Sequence, residues 1–169
     1  LSGETAQGKY PLEALKMMCH IIESTEEHLD YEALLDKAQV HRKKGVSSAI
    51  GYSTVATAAN LNAKCIITPT LSGATARVVS KFKPKAPIIG VSPNDDTLRK
   101  MQIFRGVYPV KSIRLETTED ICEDAINLVR AKQLVEAGDI VVLTAGIPSP
   151  VIKRAHDGMS NMMRIAIIE

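Results

Sequence analysis

The chain has 169 residues, of which 45% are hydrophobic, and this is enough for one substantial core with a small appendage. It carries 21 basic and 19 acidic residues, a formal net charge of +2, no Trp and only 4% aromatic residues. Nearly balanced charge and few aromatic side chains argue against nucleic-acid binding. No apolar run approaches the roughly 18 residues that a membrane span needs, so we expect no membrane association.

The first part of the chain is predicted to be helical. A polar loop at residues 2–5 leads to Pro11, whose backbone angle is favoured at the first position of a helix. Apolar residues then repeat along one face, which predicts a helix from 11 to about 28, and a second helix follows at 31–40. The polar residues 41–45 end this pattern and mark a candidate boundary.

Strands and helices alternate beyond this boundary. Helices are predicted at 47–59, 73–82, 95–104 and 117–135, and strands at 65–68, 87–91, 107–110, 140–144 and 162–168. Neighbouring parallel strands need a crossover, which is usually a helix. The sequence therefore predicts a three-layer α/β/α fold with a mostly parallel five-stranded sheet, whose last strand we expect to be antiparallel.

Three cysteines, Cys19, Cys65 and Cys122, are widely spaced and lie in apolar surroundings. An odd number of scattered thiols in such surroundings is typical of reduced core thiols in a cytoplasmic protein and does not suggest a disulfide framework. No spacing suggests a metal site. We therefore expect a cytoplasmic chain without a bound metal.

The loop after the first strand is the best candidate for a binding site. Ligands of open α/β sheets bind outside the carboxyl ends of the strands. Here hydroxyls, a glycine and backbone N–H groups precede a helix, an arrangement that suits phosphate. The candidate residues are Thr70, Leu71, Ser72, Gly73, Ala74 and Thr75. The alternative is that Thr70 or Ser72 only caps the helix.

A second loop is expected on the same side of the sheet, after the fourth strand. It runs from Gly146 to Ser160 and carries Lys153 and Arg154. A basic, glycine-containing loop facing the first one would act as a lid over an anion. The residues after the second strand, 92–95, end in carboxylates, and we interpret them as a helix cap only.

Familiar catalytic motifs are missing from the sequence. It contains no GxGxxG, GxxxxGK[ST], GxSxG or HExxH pattern, and its four histidines are scattered. Residue chemistry alone therefore predicts a cytoplasmic α/β domain that binds a phosphorylated ligand.

Several segments, in order along the whole chain, resemble pyruvate kinase. LSGETAQGKYPLEAL resembles the segment that closes the (β/α)8 barrel of that enzyme. KPKAPIIGVSPN, FRGVYPV, EAGDIVVLTAG and SNMMRI resemble landmarks of its C-terminal domain. The resemblance to bacterial members implies that residues 1–38 are a helical remnant of the barrel and residues 39–169 the effector-binding C-terminal domain.

The resemblance implies a glycolytic parent enzyme that transfers phosphate from phosphoenolpyruvate to ADP with Mg²⁺ and K⁺. Its metal ligands and catalytic lysine would precede Leu1, so this chain would carry no cofactor. Ser2 and Glu4 would lie at the edge of that incomplete catalytic site. We expect the isolated chain to have no kinase activity, because phosphoryl transfer depends on metals and cations around the transferred group.

The resemblance also assigns the effector site. Residues 70–75 would hold a phosphate, and the loop containing Gly158 would close over the sugar. Members that respond to fructose 1,6-bisphosphate carry basic residues where this chain has Leu71 and Ala74, and an Arg where it has Ile121. We therefore expect AMP or a sugar monophosphate as the effector.

A homotetramer is the assembly that the resemblance implies. The small-residue stretch 47–59 and the last strand are the interface candidates, although both suit a plain core role as well. The alternative function is a free-standing module of the same domain type that binds a phosphorylated metabolite.

Overall fold

The structure, a computed structural model, describes residues 1–40, 44–146 and 160–169. The chain forms two compact units, Leu1–Asp30 and Tyr31–Glu169. In the described part of the chain, no helix is long and apolar enough to cross a membrane.

The first unit is helical, as predicted. Helix α1 spans Gly3–Ala6 and helix α2 spans Pro11–Glu27, with Pro11 at its first position. No residue of either helix is buried. The apolar side chains of α2 thus contribute little burial within this chain.

The second unit is an α/β structure. Its helices are α3 Tyr31–Val40, α4 Val46–Asn60, α5 Ala74–Ser80, α6 Asp95–Met101 and α7 Thr118–Ala131. Its strands are β1 Cys65–Pro69, β2 Ile88–Ser92, β3 Val107–Lys111, β4 Ile140–Ala145 and β5 Met162–Ile167. Every predicted element is present, with ends shifted by a few residues.

The five strands form one sheet in the order β3-β2-β1-β4-β5. The first four are mutually parallel, and β5 pairs antiparallel to β4. The predicted mostly parallel sheet with an antiparallel last strand is confirmed. Because β1 lies centrally between β2 and β4, the carboxyl ends of β1, β2 and β4 meet at one edge.

Both faces of the sheet are covered by helices. Successive side chains of a strand point to opposite faces, so each buried strand contributes to both halves of the core. Ile66, Ile88 and Val142 pack with α4, α5 and α6 on one face. Ile67 and Leu143 pack with α7 on the other. This arrangement confirms the three-layer prediction.

Helix α7 shows why a predicted helix end was wrong. Its start is as predicted, because the Thr117 side chain accepts a hydrogen bond from the Asp120 N–H at 3.1 Å. It ends at Ala131 and not at Val135, because Gln133 adopts a left-handed backbone with φ 56°. The Leu134 N–H then bonds the Val129 carbonyl at 3.1 Å, which terminates the helix.

Helix α3 packs on the α/β unit through Leu35 and Ala38, which contact the core on the α4 face. The domain boundary that the resemblance places after residue 38 stays a prediction.

Candidate functional site

The carboxyl ends of the parallel strands converge on a cavity of about 350 Å³. It is lined by the ends of β1, β2 and β4, the segment after β3, and two side chains of α7. Thr70 and Leu71 of the predicted phosphate loop and Gly146 of the predicted lid are among the lining residues. The cavity therefore lies at the edge where the sequence predicts a ligand.

The predicted phosphate loop, residues 70–75, includes a tight turn between β1 and α5. Gly73 has φ +82° and occupies the N-cap position of α5, which receives no side-chain capping bond. The Gly73 N–H instead donates to the Thr70 hydroxyl at 3.0 Å. Thr70 therefore closes the turn before the helix, and the alternative of Thr70 or Ser72 as the side-chain cap of α5 is not supported. Ser72 is exposed.

The structure brings one residue of the predicted lid segment directly onto the phosphate loop. The Ser160 hydroxyl donates to the Thr75 hydroxyl at 3.0 Å, across 85 positions of the sequence, and both residues are buried. The predicted lid residues Lys153, Arg154 and Gly158 lie outside the described residues. Ser160 therefore contacts residues 70–75, and the role of its segment as a lid over an anion stays a prediction.

Residues 92–95 do more than end a strand and begin a helix. Asn94 occupies the N-cap of α6 without a side-chain capping bond, and its Nδ2 donates to the Leu71 carbonyl at 2.9 Å. The interpretation of this segment as a helix cap only is therefore wrong. A hydrogen bond across 23 residues leaves no local sequence signal.

The charges around the cavity come from residues that sequence reasoning missed. Arg114, Glu116 and Asp124 line it, together with the apolar Ile121. The segment with Arg114 and Glu116 directly follows the carboxyl end of β3. The rule that predicts sites at strand ends would have found these two residues had it been applied to β3.

The two residues assigned to an incomplete catalytic site belong to the helical unit. Ser2 is the N-cap of α1, and its carbonyl accepts from the N–H groups of Thr5 and Ala6. Glu4 is exposed, and the backbone N–H groups of Glu4 and Ser2 hold the pKa of its carboxyl below the ordinary value. The chemical role of these residues stays a prediction.

Among residues 1–40, 44–146 and 160–169, no group of three or more His, Cys, Asp or Glu side chains is arranged to hold a metal ion. No chemical step at this site is assigned to a metal.

A second, larger cavity of about 740 Å³ lies at the amino ends of β1 and β2. Helices α3 and α4 and the loop at 83–86 line it, and Lys64, Lys83 and Lys85 are among the lining residues. Because open α/β sheets bind ligands at the carboxyl ends of their strands, we assign the smaller cavity as the candidate site.

Comparison with known proteins agrees with the fold. A family model described as "Pyruvate kinase, alpha/beta domain" matches residues 48–166. Pyruvate kinase of Clostridium acetobutylicum is 37% identical over 169 residues, which are all of this chain and 35% of that protein. Pyruvate kinase of Geobacillus stearothermophilus is 38% identical over 168 residues, or 99% of this chain and 28% of that protein.

A solved structure gives the same result. The crystal structure of a pyruvate kinase from Cryptosporidium parvum matches with a TM-score of 0.86 and 30% identity, over 100% of this chain and 32% of that one. The chain thus spans about a third of the length of the relatives that it matches. It belongs to the pyruvate kinase family, and residues 48–166 correspond to the α/β domain of that family.

Proposed function

We propose that this chain is the regulatory C-terminal part of a cytoplasmic pyruvate kinase and that it binds a phosphorylated effector. The complete enzyme would transfer phosphate from phosphoenolpyruvate to ADP in glycolysis, with Mg²⁺ and K⁺ held by residues that are not among those described here. Membership of the family supports the parent reaction, and three free thiols suit the cytoplasm.

One observation carries the effector proposal. The cavity at the carboxyl ends of the strands is continuous with the phosphate loop through Thr70 and Leu71, and Ser160 is bonded to Thr75 of that loop. The loop supplies hydroxyls and backbone N–H groups for a phosphate, while the adjoining cavity has room for the rest of a small molecule.

The charges of the cavity favour a monophosphate. Among the described residues that line the cavity, Glu116 and Asp124 outnumber Arg114, and Ile121 offers no charge. A second phosphate would meet two carboxylates at this end, which is unfavourable. Carboxylates instead accept hydrogen bonds from sugar hydroxyls or an amino group, as AMP and sugar monophosphates would offer.

Titration calorimetry of the 169-residue chain with AMP, ribose 5-phosphate and fructose 1,6-bisphosphate tests this proposal. We expect one of the monophosphates to bind more tightly than the bisphosphate. Tight binding of the bisphosphate alone would contradict the ligand class, and no binding of any of the three would contradict the effector site.

A variant of Ser72 localises the binding. Ser72 is an exposed hydroxyl of the phosphate loop, so Ser72→Ala should leave the free energy of unfolding within about 0.5 kcal/mol of the wild type. It should weaken AMP binding several-fold, because one donor to the phosphate is lost. Ser53→Ala, at an exposed position of α4, is the matched control and should bind AMP normally.

The lack of kinase activity in this chain is a separate part of the proposal. Purified chain given phosphoenolpyruvate, ADP, Mg²⁺ and K⁺ should form no pyruvate above the uncatalysed rate. Turnover by a preparation free of full-length enzyme would show that the catalytic groups are within these 169 residues.

We also propose that β5 and α4 contribute a subunit interface of a homotetramer. β5 is an edge strand, and its Ile165 and Ile167 lie on the same sheet face as α4 but are still 48% and 67% exposed. Sedimentation should show a concentration-dependent dimer of this chain, and the double variant Ile165→Lys, Ile167→Lys should remain monomeric. A wild-type chain that stays monomeric at the highest concentration would contradict this interface.

A further inference from the structure

The carbonyl oxygen of Leu71 is held by two side chains from another part of the sequence. Asn94 Nδ2 donates to it at 2.9 Å and Thr97 Oγ1 at 2.7 Å. Both donors lie at the start of α6, which follows β2, whereas Leu71 lies in the phosphate loop after β1. Thr97 is only 5% exposed, so its hydroxyl makes this bond with little competition from water.

Further contacts fix the same loop from its other end. The Thr70 N–H donates to the Val91 carbonyl at 2.9 Å, and the Gly73 N–H donates to the Thr70 hydroxyl at 3.0 Å. A Cβ added at Gly73 would lie 3.6 Å from Thr97 Cγ2 and 3.3 Å from Met101 Cγ. Thr97 therefore bonds one residue of the turn and packs against another.

We infer that Asn94 and Thr97 are positioning residues that shape the loop at 70–73 for a phosphate. This inference rests on the proposed effector site. A carbonyl oxygen turned toward a phosphate repels it, and two donors hold the Leu71 carbonyl against α6. With this carbonyl fixed, the hydroxyls and N–H groups of the loop need less ordering when the anion binds.

The test compares isosteric and conservative variants of Thr97. Thr97→Val removes the donor at nearly constant volume, Thr97→Ser keeps it, and Asn94→Ala removes the second donor. Ser80→Ala is the matched control, because the buried Ser80 hydroxyl donates to the Arg105 carbonyl at 2.7 Å, a bond of the same type outside the phosphate loop.

Affinity for AMP and for inorganic phosphate is measured by calorimetry. We expect Thr97→Val to weaken both about tenfold and Asn94→Ala to weaken them several-fold. Thr97→Ser should remain within about twofold of the wild type, and so should Ser80→Ala. A merely structural role of Thr97 predicts instead that Thr97→Val and Ser80→Ala behave alike.

Amide hydrogen exchange without ligand gives a second readout. The Gly73 N–H should exchange faster in Thr97→Val than in the wild type or Ser80→Ala, since the turn is no longer held to α6. If Thr97→Val binds AMP and phosphate as tightly as the wild type does, the positioning role is overturned but the effector site is not. Unchanged exchange of the Gly73 N–H in Thr97→Val has the same consequence. A wild-type chain that binds neither probe overturns the proposed effector site itself.

Discussion

The two units of the chain differ in where their apolar side chains lie. In the helical unit, Leu12 and Ile21 of α2 are 66% and 59% exposed, and no residue of 1–30 is buried. In the α/β unit, Ile66, Ile88 and Leu143 are completely buried in the two-sided core. The α/β unit therefore holds the core that stabilises this chain, and the helical unit adds little burial energy.

Thiol reactivity should show the largest contrast between the units. Cys65 and Cys122 are buried in the core as expected, whereas Cys19 is exposed on α2, so the expectation of a core thiol is wrong for Cys19. Burial, assisted by the charge of Asp139, raises the pKa of Cys65 to about 12, and burial also raises the pKa of Cys122. The thiolate is the reactive form, so both the burial of these two thiols and their raised pKa slow their reaction with a reagent.

We expect Cys19 to react rapidly with a disulfide reagent at pH 8. Cys65 and Cys122 should react at least about a thousand times more slowly. They must wait for opening of a core that is stable by at least about 5 kcal/mol. All three should react in guanidinium. Labelling of Cys65 or Cys122 at the rate of Cys19 would show that the core opens locally.

Core truncation should give the next largest contrast. Ile66→Ala removes a completely buried side chain from the central strand and should lower the free energy of unfolding by about 2–5 kcal/mol. Leu12→Ala, in the exposed helix, should change it by less than about 0.5 kcal/mol. Urea titration monitored by circular dichroism measures both. A similar loss for Leu12→Ala would mean that α2 stabilises the chain after all.

Glycine substitutions should give a smaller difference between the two units in the free energy of unfolding. A Cβ at Gly90 would lie 2.6 Å from the sulfur of Met101 and 3.1 Å from Val107 Cγ1. Met101 is completely buried, so Gly90→Ala should cost about 1–3 kcal/mol of unfolding free energy through overpacking. Gly3→Ala, where nothing lies within 4 Å, should be neutral within about 0.5 kcal/mol. Equal effects of the two substitutions on the urea midpoint would contradict the comparison.

The elements of this fold could be read from the sequence because their signals are local. β1 and β4 are short apolar runs bounded by polar residues, and the face of α2 repeats with the helical period. The order of the strands is set by contacts between segments that are distant in the sequence, such as β1 and β4, so no local pattern predicts it. The end of α7 was missed because Gln133 adopts a conformation that is unusual for a residue other than glycine.

The candidate site was predictable only in part, for the same reason. Residues 70–75 share one strand end and one short segment, so their hydroxyls are visible together in the sequence. Asp124 reaches the cavity from the middle of α7, and Thr97 reaches Leu71 from α6. Such contacts depend on how helices pack on the sheet, which the spacing of residues within one segment does not show.

The smallest expected effect concerns an ion pair on the surface of the α/β unit. Lys111 Nζ lies 2.6 Å from the Asp95 carboxylate, and this bond holds the pKa of Asp95 below its ordinary value. Both side chains are at least half exposed, so water screens the pair and its contribution to stability is small. It joins the start of α6 to the end of β3.

The pH dependence of this pair has a defined direction. Because folding lowers the pKa of Asp95, the pair stabilises the fold above the unfolded value of about 3.9, and the contribution is lost as pH falls through the folded value. Lys111→Met should therefore lower the urea midpoint slightly at pH 7 and match the wild type once the pH is well below the lowered pKa of Asp95. Lys100→Met, at an exposed position of α6, the helix that carries Asp95, controls for the loss of a positive charge. A Lys111→Met deficit that persists in acid would mean that the stem of Lys111 stabilises the fold by packing and not by its charge.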